Sequence, residues 1–276
     1  RLQADGLQPA RLHGHAAPVL LHGPLTLQVR GLPAGAATPA AAATPVVSFD
    51  GSLSGRWTGA TPAAGAVPAV QLRLAGEASA RHLLITQAEA RSGPPGPDGR
   101  PALARLSGRA DAEAGGWRIA AQATLADFDP RPWWRGAEGS AWRRGPHRLQ
   151  AEAEARLLWR PAAGSTTTLQ HLLDSLQGNA RLQLGDSLLA GVSLRGDASL
   201  RRDGPAGVAQ LQASLTAGGN RVELQADTAA AVGGRGAAQP AADRWSATLQ
   251  APDLASLAPL RPLLAELLPA SAEAID

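Results

Sequence analysis

Ala180-Arg181-Leu182-Gln183-Leu184-Gly185-Asp186-Ser187-Leu188-Leu189-Ala190-Gly191-Val192-Ser193-Leu194-Arg195-Gly196-Asp197-Ala198-Ser199-Leu200-Arg201 is the stretch whose reading decides the fold. Its even positions are Ala, Leu, Leu, Asp, Leu, Ala, Val, Leu, Gly, Ala, Leu. Its odd positions are Arg, Gln, Gly, Ser, Leu, Gly, Ser, Arg, Asp, Ser, Arg. Each set breaks once, at Asp186 and at Leu189. Successive side chains point to opposite faces of a strand, so this period of two sorts the residues into one apolar and one polar face; a helical period of 3.6 cannot. Gly185-Asp186-Ser187 reads as the turn inside the run.

Working outward, the same alternation recurs. Val47, Phe49, Leu53 and Trp57 alternate with Ser48, Asp50, Ser52, Ser54 and Arg56. Val70, Leu72 and Leu74 flank Gln71 and Arg73. Trp117, Ile119, Ala121, Ala123 and Leu125 oppose Arg118, Gln122 and Thr124. Ala209, Leu211, Ala213 and Leu215 oppose Gln210, Gln212, Ser214 and Thr216. Val222, Leu224 and Ala226 follow Gly218-Gly219-Asn220, and Trp245, Ala247 and Leu249 come last. Gly115-Gly116 and Arg202-Asp203-Gly204 separate runs as turns. The expectation is an all-β fold, an elongated and curled antiparallel sheet with one apolar face, and a few short helices.

Two segments show helical spacing: Thr168–Leu176, with Leu169, Leu172, Leu173 and Leu176, and Leu254–Leu268, with Asp253 as its candidate N-cap. Ala34–Thr44, Gly93–Gly99 and Ala229–Ala242 are Pro-, Gly- and Ala-rich and read as loops. Trp117 to Pro130 and Trp245 to Leu254 form a weak repeat, each a strand running into an Asp-containing stop, which suits an extended sheet. Two groove segments are expected, 1–135 and 136–276, continuous with one another.

Composition narrows the function class. The 276 residues suffice for a sizeable core. All 26 basic residues are Arg, and Tyr, Lys, Cys and Met are absent. Lys and Tyr have AT-rich codons, so the bias points to a GC-rich genome, and an Arg-only chain explains the pI near 10.9. A net charge of +3 with interspersed signs is too weak and even for a nucleic-acid footprint. Without Cys there is no disulfide framework, thiolate zinc site or cysteine nucleophile. Without Met the chain is expected to be an internal piece of a longer protein, with any signal or anchor outside it. No run approaches the ~18 apolar residues of a membrane-spanning helix.

No phosphate-binding Gly loop, serine elbow or zincin helix is present, so neither an enzyme nor a cofactor is expected. His13 and His15 would share a strand face, with His22 near, but no carboxylate pair accompanies them, so they read as surface histidines and no metal site is assigned. Asp127 and Asp129 sit at a strand end and read as turn caps rather than an acid pair. Glu152 and Glu154 read as the wet face of a strand. Trp133, Trp134, Trp142 and Trp159 occur among Arg131, Arg135, Arg143, Arg144 and Arg160. A loop packed over the sheet end is favoured over a headgroup-level belt.

Leu176-Gln177-Gly178-Asn179-Ala180-Arg181-Leu182, Ser187-Leu188-Leu189-Ala190-Gly191-Val192-Ser193-Leu194-Arg195-Gly196 and Gly219-Asn220-Arg221-Val222 resemble the repeating core of TamB-like proteins, within the AsmA-like group. The stops Ala126-Asp127-Phe128-Asp129-Pro130 and Ala251-Pro252-Asp253-Leu254 are similar to the family's too. The resemblance covers most of residues 100–276. It implies an inner-membrane subunit of a translocation and assembly module. Such a protein has an N-terminal anchor outside this chain, a periplasmic β-groove, and a TamA-like outer-membrane barrel partner reached by a further region. The implied work is phospholipid transport between the membranes of a Gram-negative bacterium, together with outer-membrane protein assembly and autotransporter secretion. The family brings no catalytic residues.

A one-sided sheet must bury its apolar face. Few helices are available to cover it, and the large aromatics that would fill a sandwich are rare. Phe49, Leu53, Trp57, Leu72, Leu74, Ile119, Leu125, Leu182, Leu184, Val192, Leu194, Leu211, Leu215, Val222 and Leu224 are therefore expected to line a groove for phospholipid acyl chains. Arg181, Gln183, Gln210, Gln212, Glu223 and Gln225 are expected to face water. Two rival architectures alternate as well: a transmembrane barrel, which wants aromatic girdles, and a β-helical adhesin or autotransporter passenger, which wants regular rungs.

Overall fold

A computed structural model describes residues 2–12, 18–31, 44–58, 69–95, 101–133, 140–160, 175–204, 208–228 and 244–267. These form one open, curled sheet of thirteen strands whose spatial order is the chain order. The strands are β1 (Leu2–Leu7), β2 (Val19–Arg30), β3 (Val46–Trp57), β4 (Ala69–Ala78), β5 (His82–Pro95), β6 (Pro101–Glu113) and β7 (Gly116–Phe128). They continue as β8 (His147–Trp159), β9 (Leu176–Leu189), β10 (Val192–Arg202), β11 (Ala209–Ala217), β12 (Asn220–Thr228) and β13 (Arg244–Gln250). Two short helices, α1 (Pro9–Leu12) and α2 (Arg261–Leu267), and three 3₁₀ segments, Arg131–Trp133, Ala141–Arg143 and Leu254–Leu260, complete the described chain.

Every neighbouring pair is antiparallel. The parallel rungs of a β-helix are therefore not the architecture here. Among the described residues β1 pairs only with β2 and β13 only with β12, so these strands do not close into a barrel. On either side of position 135, β7 and β8 pair from Trp117↔Trp159 to Phe128↔Leu149. No described helix is long and apolar enough to cross a membrane.

The turn expected at Gly185-Asp186-Ser187 lies elsewhere. β9 runs through these residues, and the chain reverses at Ala190-Gly191, both with positive φ (49° and 81°). That is the two-residue hairpin geometry whose twist matches the strands it joins. A two-residue turn inverts parity, since Val192 faces Leu189. The pairing then slips between Leu194↔Ser187 and Gly196↔Leu184, and this bulge restores it. Beyond the bulge the even residues of both strands share a face, whereas next to the turn Val192 and Leu194 pair with Leu189 and Ser187, and the break in alternation at Asp186 marks the bulge.

The other expectations divide. Asp253 caps its segment as expected: its side chain accepts from the N–H groups of Ala255 and Ser256. The segment itself is 3₁₀ over Leu254–Leu260 and α-helical only from Arg261, because Pro259 cannot donate to a regular helix. Residues 168–174 of the other expected helix lie outside the described residues, and Leu176 opens β9. Of the low-complexity stretches, 34–43, 96–99 and 229–242 lie outside the described residues, whereas Gly93–Pro95 continue β5.

Buried side chains gather along one margin of the sheet, where the strand ends meet the non-strand segments. Val19, Leu21, Leu53, Trp57 and Val70 form one cluster, against which Leu7 and Trp133 pack. Val192, Leu194 and Ala217 form another, covered by Leu257 and Leu260. Away from that margin no described helix or 3₁₀ segment packs over the apolar face, although Ala226 in β12 is itself buried.

Candidate functional site: an apolar sheet face

Residues paired across antiparallel strands share a face, so the register can be followed from strand to strand. One row runs Leu27–Phe49–Gly76–Ile85–Gly108–Ala121–Ala155–Ala180–Leu200–Leu211–Ala226–Trp245, from β2 to β13. The next runs Leu2–Leu25–Gly51–Leu74–Ala88–Leu106–Ala123–Ala153–Leu182–Ala198–Ala213–Leu224–Ala247, across all the strands. A third runs Leu53–Leu72–Ala90–Ala104–Leu125–Ala151–Leu184–Gly196–Leu215–Val222–Leu249. No polar side chain interrupts any of the three. In β5 the extra residue Thr86 between Ile85 and Ala88 keeps the rows in phase.

The opposite face is mainly polar, with Leu84, Leu103, Ala120 and Leu158 among its polar side chains. Ser52–Arg73–Glu89–Arg105–Thr124–Glu152–Gln183–Asp197–Ser214–Glu223–Thr248 is one continuous polar row. Arg181, Gln183, Gln210, Gln212, Glu223 and Gln225 all lie on this face and are exposed. Glu154 pairs with Arg156 at 2.8 Å and Glu223 with Arg221 at 2.6 Å; exposed pairs of this kind add ~0–1 kcal/mol each. Glu89 is the buried member. Burial pushes its carboxyl up, but hydrogen bonds and charge from Arg105 and Arg91 outweigh that and hold it below the ordinary carboxylate value.

The register places every groove residue expected from sequence on the apolar side, but they fall into two kinds. Leu53, Trp57, Val192 and Leu194 belong to the marginal clusters and are buried by neighbouring segments, so they are structural core rather than open lining. Leu182 (46% exposed), Leu215 (38%) and Val222 (37%) are open, and so are Leu106 (41%) and Leu249 (65%), which the expectation omitted. The centre of the face is a shallow trough. Ala121, Ala123, Ala153, Ala155, Ala180 and Ala198, with Leu182, Leu200 and Leu211, line a cavity of about 340 Å³. Adjacent strands lie ~4.8 Å apart, so a single cavity reaching from β7 to β11 requires the sheet to curve around it. The alanines leave width where larger side chains would meet.

The other candidates resolve into structure. His13 and His15 lie outside the described residues, and His22 bonds Asp5 at 2.8 Å. Among the described residues no cluster of three metal-ligating side chains occurs. Asp129 accepts from the Arg131 backbone N–H at 3.0 Å, a turn cap, and Asp127 accepts from Gln150 at 3.0 Å. Trp133 packs on the marginal core and Trp142 donates its indole N–H to Leu263 O at 3.2 Å, both on the loop over the sheet end. Trp159 is not with them: it pairs with Trp117 at the opposite end of the strands. Trp134 lies outside the described residues.

Two clasps hold the C-terminal segment over the margin. Asn220, 3% exposed, donates to Asp253 O at 2.6 Å and accepts from Asp253 N–H at 3.0 Å. At the far end, the Glu266 carboxylate accepts from Ala141 N–H at 2.6 Å and from the Ser140 hydroxyl. Sequence periodicity carries no signal for these contacts, because they join residues 33 and 125 positions apart.

His147 anchors the same margin. Its Nδ1 accepts from Ala190 N–H at 3.0 Å, so its Nε2–H donates to Trp142 O at 2.9 Å. Burial pushes this imidazole below its ordinary value; the Trp142 carbonyl and Asp129 pull it up, and Arg131 pushes it down. The unfolded ring therefore takes up a proton first as pH falls. The stability conferred by the neutral ring is complete above pH ~6.5 and declines below it. Lowering pH from about 7.5 to 5 is expected to reduce hydrogen-exchange protection of the Ala190 and Gly191 amides several-fold. Protection that does not change with pH, or a His147→Ala variant with the same pH profile as the parent, would contradict this.

Comparison of the chain with family models, curated proteins and solved structures returns no significant match.

Proposed function

We propose that this chain is a segment of a TamB-like envelope protein whose apolar face, open among the described residues, carries phospholipid acyl chains through the periplasm. The single observation that supports the reading most is the run of unbroken apolar rows across the sheet, with Leu106, Leu182 and Leu249 open to the exterior. An acyl chain laid on such a face gains ~0.8 kcal/mol for each CH₂ taken out of water. No headgroup-specific site is needed for transport along it, and no catalytic group takes part. In the same reading an anchor outside this chain holds it at the inner membrane. A TamA-like barrel meets a further region at the outer membrane, and the groove also serves outer-membrane protein assembly and autotransporter secretion.

The test is to purify the chain without detergent from a bacterial lysate, extract it with organic solvent and analyse the extract by mass spectrometry. The expected result is phospholipid in near-stoichiometric amount. A chain that emerges lipid-free and takes up none from added phosphatidylethanolamine vesicles would sink the reading and leave a purely structural bridge.

A further inference from the structure

The C-terminal segment does more than close the margin. Between it and the apolar face of β11 to β13 lies a cavity of about 490 Å³, separate from the central trough. The sheet contributes Leu215, Val222 and Leu249, and the segment contributes Leu257, Leu260 and Leu264. The volume falls within the ~300–1,000 Å³ typical of a site for one small molecule. It suits one acyl chain rather than a folded or extended polypeptide. Two guanidinium groups, of Arg221 and Arg261, line it. Arg261 lines the cavity, is exposed, and makes no ion pair among the described residues. By contrast, Arg221, the other lining cation, is paired with Glu223.

We infer that this cavity is a binding site for an anionic lipid, with one acyl chain beneath the C-terminal segment and its negatively charged head on Arg261. The inference rests on the reading that the apolar face takes lipid, and it names the lipid class. The chemistry is complementary at both ends. The greasy lining takes the chain, and a guanidinium at the rim offers a planar fork that a carboxylate or phosphate meets with paired, charge-assisted hydrogen bonds. The clasps at Asn220 and Glu266 fix both ends of the segment that forms the roof, so the site is built before the ligand arrives. In the central trough the one basic lining residue, Arg181, lies on the wet face of β9, away from the apolar rows.

The experiment measures binding of three single-chain probes by displacement of N-phenyl-1-naphthylamine. They are palmitate, palmitoyl-lysophosphatidylglycerol and uncharged monopalmitoylglycerol, all below their micelle concentrations. The expected result is that both anionic probes bind roughly five- to tenfold more tightly than the uncharged one, as one charge-assisted contact allows. Arg261→Gln should abolish that preference while leaving monopalmitoylglycerol unchanged. Preference for palmitoyl-lysophosphatidylglycerol alone would assign the site to phosphate, and for palmitate alone to carboxylate. Val222→Trp, which fills the cavity, should remove the anionic preference, and Ala155→Trp in the central trough should retain it. Equal binding of all three probes to the parent chain, or an anionic preference that survives Arg261→Gln, overturns the site and leaves the groove reading standing. If no probe binds the parent, the groove reading fails with it. Circular dichroism of each variant confirms that loss of binding is not loss of the sheet.

Discussion

Leu211→Asp is expected to weaken acyl-chain binding on the order of 100-fold, about 3 kcal/mol, while Gln210→Asp leaves it unchanged. The two positions are adjacent on β11 and face opposite ways. Leu211 pairs with Leu200 and Ala226 on the side of the central trough, and Gln210 pairs with Arg201 and Asp227 on the wet side. A carboxylate at 211 would have to lose its water whenever a hydrocarbon chain occupied the trough, a cost of several kcal/mol. The same charge at 210 stays hydrated. In cells that depend on the full-length protein, the first variant should lose function at normal abundance and the second should not. Val192 is the wrong place for this experiment. It is 5% exposed and packed with Leu194 and Ala217 beneath Leu257 and Leu260, so a charge there would unfold the margin rather than block a channel. Equal lipid affinity in Leu211→Asp and Gln210→Asp would rule out the trough as the path.

Asn220→Ala is expected to free the start of the C-terminal segment at a cost of about 2–3 kcal/mol. The Asn220 amide serves both the N–H and the C=O of Asp253 and reaches Ala217 O at 3.2 Å and the Ser256 hydroxyl at 3.1 Å. Truncation leaves these groups without a partner around a buried position, where a missing partner costs more than a surface hydrogen bond returns. Hydrogen exchange should rise over residues 253–260 while β8 and β9, far along the sheet, keep their protection. A variant whose only change is a uniform loss of stability across every strand would show that Asn220 is a general stabiliser and not a local clasp.

Those two variants also mark how far the sequence could be read. The side on which Leu211 and Gln210 lie followed from period-two alternation alone, because face is a local property of a strand. The same parity put Val192, Leu194, Leu53 and Trp57 on that side correctly, yet it gave no hint that they are covered. Cover depends on Leu257, Leu260, Trp133 and other residues arriving from distant parts of the chain. The Asp253 cap was legible because its partners are two and three residues away. The Asn220 and Glu266 clasps were not, since nothing in local periodicity couples 220 to 253 or 141 to 266. The misplaced turn has a comparable cause. Gly185-Asp186-Ser187 has turn composition, and a bulge uses the same small and polar residues as a turn. Only the pairing of Ser187 with Leu194 and of Leu184 with Gly196 tells the two apart.

The measurement that bears most directly on the central claim uses a photoreactive benzoylphenylalanine at Leu182 or at Gln183. These neighbours on β9 are both exposed and lie on opposite faces. Each variant is produced in bacteria, irradiated in intact cells and examined by intact-protein mass spectrometry. The account predicts a phospholipid-mass adduct at position 182 and none at 183. Adducts of equal yield at both positions, or none at 182 in a protein that retains its sheet, would contradict it.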